Sequence, residues 1–82
     1  MKFMVEFRFK SGRKGHALEL FESRGPNRNP GVTFRGAWIG TDSELAFVLV
    51  EAPDETHVAN VTEAWGVHGE SHITRVIDIE QY

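Results

Sequence analysis

The sequence predicts an α+β fold, a four-stranded antiparallel sheet with two helices on one face in the order βαββαβ, and three observations carry that prediction. Leu45 to Val50, Leu-Ala-Phe-Val-Leu-Val, is a short run rich in apolar, β-branched and aromatic residues, the pattern of a strand covered on both faces. Lys2 to Phe9 alternates strictly, with Phe3, Val5, Phe7 and Phe9 on one side and Lys2, Met4, Glu6 and Arg8 on the other. Two stretches of helical spacing interleave with the strands, which gives the split βαβ or ferredoxin-like plan. Right-handed crossovers then place the first and third strands centrally, in the strand order 4-1-3-2.

The elements follow in order. Ser11-Gly12 breaks the first strand, and Ser11 is the predicted cap of a helix through about Arg24, with Ala17, Leu18 and Phe21 turned inward and Leu20 beside them. Gly15 weakens its first turn by about 1 kcal/mol relative to Ala, so the start is poorly defined. Gly25-Pro26-Asn27-Arg28-Asn29-Pro30-Gly31 has no periodicity and reads as a loop. Val32 to Ile39 is the second strand, where Gly36 signals a bulge or a close approach. Gly40-Thr41-Asp42-Ser43 turns the chain into the third strand, Glu44 to Glu51. Asp54 is the predicted N-cap of the second helix, whose inner face carries Val58, Val61 and Trp65 and whose end is marked by Gly66. After an irregular stretch from Val67 to Ser71, the last strand is expected from His72 to Glu80, with Ile73, Ile77 and Ile79 on one parity. Arg75 interrupts that parity, which implies an edge strand or a bulge.

Composition bounds the function. The chain is 82 residues, 40% hydrophobic and 26% charged, which suits one globular domain spanning 1–82. With no cysteine, disulfides, thiolate metal sites and cysteine nucleophiles are excluded. A charge follows the first few residues too soon for a signal peptide, and no run approaches the ~20 apolar residues that span a bilayer, so a cytoplasmic protein is expected. A net charge of −3 gives no general attraction to nucleic acid or anionic lipid. Ser43 to Val50 matches the RNA-recognition signature loosely at Ala46, Phe47 and Val48, but Leu45 and Ser43 replace the base-stacking aromatic and the basic residue. No Gly-rich phosphate loop ending in Lys-Ser/Thr is present, and no cofactor is expected.

Helices cover one face only, yet the third strand is apolar on both. The uncovered face is expected to gather Met4, Ala37 and Val76 as well, and burying such side chains is worth about as much as association costs. A homodimer through the open sheet face follows as the expected assembly.

On these residues the chain resembles the dimeric α/β-barrel superfamily, in which two ferredoxin-like subunits pack their open sheet faces around a small cavity. More narrowly, Met1-Lys2-Phe3-Met4-Val5 with Phe7-Arg8-Phe9-Lys10, Gly31-Val32, Gly36-Ala37-Trp38, Phe47-Val48-Leu49-Val50-Glu51 and Trp65 resemble the small bacterial family called domain of unknown function 3303. The resemblance implies the fold and the dimer. It also implies a basic residue and a histidine flanking the tryptophan, where this chain has Ala37 and Ile39. Superfamily members include cofactor-independent monooxygenases, isomerases and stress-response proteins, so fold alone does not choose a function.

The candidate site residues follow from parity. Glu6 and Arg8 point away from the helices, where a desolvated Glu6 is a candidate general base and Arg8 or Arg35 a holder of an anionic ligand; a cross-strand ion pair of Glu6 with Arg75 is the alternative. His72 is a candidate acid or base because imidazole titrates near neutrality. His68, Glu70 and His72 alternate as metal ligands on an extended chain would, but they lack any established metal motif, and no metal is assigned. Trp38 is a candidate stacking platform, with packing beside Gly36 as its alternative. The expectation is a small-molecule-binding homodimer; the alternatives are a cofactor-independent enzyme of the monooxygenase or isomerase type, and a regulatory or interaction domain without catalysis.

Overall fold

The computed structural model describes residues 1–17 and 30–82. Four strands form one antiparallel sheet: β1 (Lys2–Phe9), β2 (Thr33–Ile39), β3 (Leu45–Glu51) and β4 (Gly69–Val76). Read from the β4 edge the order is β4-β1-β3-β2, so β1 and β3 are central. Among the described residues there is one α-helix, α1 (Glu55–Glu63), which packs against β4. The first helix expected from the sequence is represented by a 3-10 turn at Lys14–His16, led by Arg13 rather than by a Ser11 cap. The rest of that helix, including Leu18, Leu20 and Phe21, and the Asn27-Arg28-Asn29 loop lie outside the described residues.

The alternation in β1 sets the core. Phe3, Val5, Phe7 and Phe9 are buried; the first three pair across the sheet with Val50, Val48 and Ala46 of β3, and Phe9 pairs with Gly69 of β4. Val58 of α1 and Trp65 in the turn beyond it close over them, with Trp65 edge-on to Phe7 at 5.9 Å. Such an aromatic contact adds about 0.5–1.5 kcal/mol to the burial itself. Asp54 caps α1 as expected, accepting from the His57 N–H at 3.0 Å and from His57 Nδ1 at 2.7 Å. The hairpin between β2 and β3 is closed by the Gly40 N–H donating to the Leu45 carbonyl. The bulge expected at Gly36 falls between Phe34 and Gly36.

Two expectations are corrected, the bounds of β4 and the face of Ala37, and of the two outcomes expected at Arg75 the edge strand is found. β4 runs from Gly69 to Val76, three residues before the predicted start and four before the predicted end. Its pairing ends where β1 begins, at Lys2 opposite Val76, so Ile77 and Ile79 have no strand to join and are exposed. The register is continuous at Arg75, which makes β4 an edge strand without a bulge. Ala37 pairs with Val48 and therefore faces the helix side, because the bulge at Arg35 changes the parity of β2.

Candidate functional site

Because cross-strand partners project from the same face, the register gives the layout of the uncovered face row by row. One row reads Trp38, Phe47, Glu6, His72 across all four strands. The next, toward the end of β1, is Leu45, Arg8, Glu70. On the other side lie Gly36, Leu49, Met4 and Thr74, and beyond them Thr33, Glu51, Lys2 and Val76. Strands are about 4.8 Å apart and rows about 7 Å, so Trp38 and His72 bracket a strip about 14 Å long with Glu6 inside it.

Glu6 and His72 are directly opposed, which places a carboxylate and an imidazole at Cβ separations of about 4.5–5.5 Å. Both are exposed, between the apolar Phe47 on one side and the edge of the sheet on the other. The alternative partner for Glu6 is corrected by the same register: Arg75 pairs with Phe3 and points to the opposite face. Arg8 has Glu70 as its neighbour instead. Arg35 is drawn to the far end, where its Nη2 donates to Glu51 Oε2 at 3.0 Å. That hydrogen bond, with Arg35 and Lys2 charges behind it, holds the Glu51 carboxyl below its ordinary value. Arg35 is thus engaged about two rows from Glu6, while Glu6, His72, Trp38 and Arg8 come together.

Trp38 packs beside Gly36, the alternative to a stacking role. Its indole lies over Gly36, where an added Cβ would come within 2.7 Å of the ring, yet the side chain is 56% exposed. One face of the ring packs on backbone and the rest is available. On the same face stand Phe47, which the sequence reading did not single out as a candidate, and Glu70, which it weighed only as a metal ligand. The signal was present in their parity, since Phe47 alternates with the buried Ala46 and Val48, and Glu70 lies two residues before His72.

The three alternating groups His68, Glu70 and His72 separate. Glu70 and His72 are in β4 on the open face, whereas His68 precedes the strand and stacks near His16, with ring centres 5.8 Å apart. No group of three His, Asp or Glu side chains that could hold a metal forms among the described residues. No helix among the described residues is long and apolar enough to cross a membrane.

A sequence model for the domain of unknown function DUF3303 matches residues 1–82. The chain belongs to this family. No curated protein matches the sequence of this DUF3303 domain. Among solved structures, it is similar to the crystal structure of an antibiotic biosynthesis monooxygenase, with a TM-score of 0.61 and 13% identity over 95% of this chain and 97% of the other. It is also similar to an uncharacterized NIPSNAP domain protein from Burkholderia xenovorans, with a TM-score of 0.55 and 16% identity over 95% of each chain. At these identities the likeness establishes the fold alone, a ferredoxin-like α+β architecture.

Proposed function

We propose that this domain is a homodimer of the bacterial cytoplasm that binds a small molecule against its open sheet face. The observation that carries the reading is the row Trp38, Phe47, Glu6 and His72, in which a partly exposed indole and an aromatic ring adjoin two ionisable groups on the face that no helix among the described residues covers. Apolar walls with a few convergent polar groups are the composition of a ligand site. Met4, Leu45, Phe47 and Leu49 on the same face supply an apolar surface for a second copy, whose sheet would close the space above the row. In this reading Arg8, beside Glu70, would meet an anionic substituent of the ligand, while Arg35 is engaged by Glu51.

The opposition of Glu6 and His72 favours a second reading, a cofactor-independent enzyme of the monooxygenase or isomerase type that moves a proton through this pair. Native mass spectrometry of the purified protein tests the first reading directly. The expected result is a dimer carrying additional mass, with the additional mass lost and the dimer kept in Trp38→Ala. A monomer without added mass overturns both the assembly and the site. The enzyme reading requires in addition that Glu6→Gln and His72→Ala remain folded and retain the bound molecule while its conversion stops.

A further inference from the structure

The corner of the open face formed by β1 and β4 holds four ionisable side chains, Glu6 opposite His72 and Arg8 opposite Glu70. All four are exposed, and none makes a side-chain hydrogen bond or ion pair among the described residues. Charges at the far end of the same face are engaged instead. There Arg35 Nη2 donates to Glu51 Oε2 at 3.0 Å, and Lys2 Nζ lies 3.1 Å from Asp78 Oδ1. Unmet charge is thus concentrated in one corner, beside the apolar strip that Phe47 and Trp38 form across β3 and β2.

Charge balance narrows what that corner takes. With His72 neutral, the two carboxylates of Glu6 and Glu70 stand against the one guanidinium of Arg8. A purely anionic ligand drawn to Arg8 is repelled by both carboxylates beside it. A metal cation is no better suited, since no group of three His, Asp or Glu side chains that could hold one forms among the described residues. An organic ammonium is satisfied by a single carboxylate, and the face of the Phe47 ring next to Glu6 adds to its attraction.

We propose, resting on the binding role given above to the open face, that the molecule held there is an aromatic α-amino acid, its ammonium on Glu6, its carboxylate on Arg8 and its side chain along Phe47 toward Trp38. Glu6 and Arg8 are two residues apart on one face of β1, about 7 Å along the strand, and their side chains are long enough to converge on two groups of one carbon. Phe47 lies one strand away, at right angles to that direction, and Trp38 one strand further, so the apolar strip extends about 10 Å from Glu6. Ammonium, carboxylate and ring then meet three points that do not lie on a line. The mirror-image amino acid reaches the same points only with its α-hydrogen turned into the sheet, so the site distinguishes enantiomers.

The test is an NMR titration of the intact protein with L- and D-phenylalanine, following the indole N–H resonances of Trp38 and Trp65 and the ring of His72. Saturable shifts are expected at Trp38 and His72 and not at Trp65, which is buried on the helix side. One enantiomer should bind about tenfold more tightly than the other, and phenethylamine and 3-phenylpropionate, each lacking one of the two charges, about tenfold more weakly than that enantiomer. Glu6→Gln should abolish the advantage of phenylalanine over 3-phenylpropionate, and Arg8→Gln its advantage over phenethylamine; both side chains are exposed, so the core is untouched. Shifts that never saturate, equal binding of the two enantiomers, or an equal loss for every ligand in both variants overturn the proposal. A dimer that native mass spectrometry finds loaded with a different Trp38-dependent molecule, and that phenylalanine leaves unshifted, overturns the ligand class alone. A bare monomer overturns the binding role with it.

Discussion

At the scale of single residues, two positions make the fold testable. Gly69 opens β4 opposite Phe9, and a Cβ there would run into the Arg8 carbonyl and lie 2.9 Å from Phe7 Cζ. Neither neighbour can move without disturbing β1 or the core, so Gly69→Ala is expected to cost about 1–3 kcal/mol in urea denaturation. An unchanged midpoint would contradict the pairing of β1 with β4. Gly15 is the contrasting case, because its added methyl meets nothing within 4 Å among the described residues and its φ is not positive; Gly15→Ala should stabilise by about 0.4–1 kcal/mol by restricting the unfolded chain. Asp54 gives a pH dependence of known sign. Its hydrogen bonds from the His57 side chain and backbone hold its carboxyl below the ordinary value. The resulting stabilisation is present above the unfolded aspartate value and is lost as pH falls through the lower native one. Asp54→Asn keeps a capping oxygen and removes the titration. Its unfolding midpoint should therefore fall less than that of the wild type on acidification below about pH 4. Parallel acid limbs for the two proteins would show that this cap does not carry the effect.

At the scale of elements, what could be read from the sequence follows the strength of each periodic signal. β1 was legible to the residue because alternation over eight positions has no competing pattern. β3 and the Asp54 cap were nearly as clear, since each is bounded by turn or capping chemistry. β4 was misplaced because its register is decided by a partner: strand geometry ends where β1 begins, and Ile77 and Ile79 carry the hydrophobicity of a strand with nothing to pair against. That shift also hid the adjacency of Glu6 and His72, which needs the register and not parity alone. Parity did identify Glu6 and Arg8, while the bulge in β2 moved Ala37 off the open face in a way no propensity announces. Amide hydrogen exchange separates the two versions of β4. Slow exchange is expected at the β1-bonded amides between Gly69 and Val76, and rapid exchange from Ile77 onward. Protection extending through Glu80 would restore the longer strand.

At the scale of the whole molecule, the two faces of the sheet have unequal needs. The helix side is filled by aromatic and branched side chains, whereas the open side holds Met4, Leu45, Phe47 and Leu49 half-buried by their own neighbours. The surface still to be gained by pairing is therefore smaller than the sequence suggests, and association should be sensitive to one well-placed charge. Leu49 is the appropriate position because it lies in the apolar row with Met4 and Gly36, on a central strand and away from the Glu6 row. Leu49→Arg should convert the proposed dimer to a monomer in analytical ultracentrifugation, since an unpaired charge at the centre of an interface costs more than the loss of one contact. The monomer should still fold, because Leu49 contributes nothing to the helix side. Ile79→Arg is the matched comparison: Ile79 is 90% exposed and lies beyond β4. If the sheet faces meet, the Ile79 variant sediments like the wild type while the Leu49 variant does not. The reverse result would move the interface to the segment after β4 and leave the row around Glu6 open to solvent.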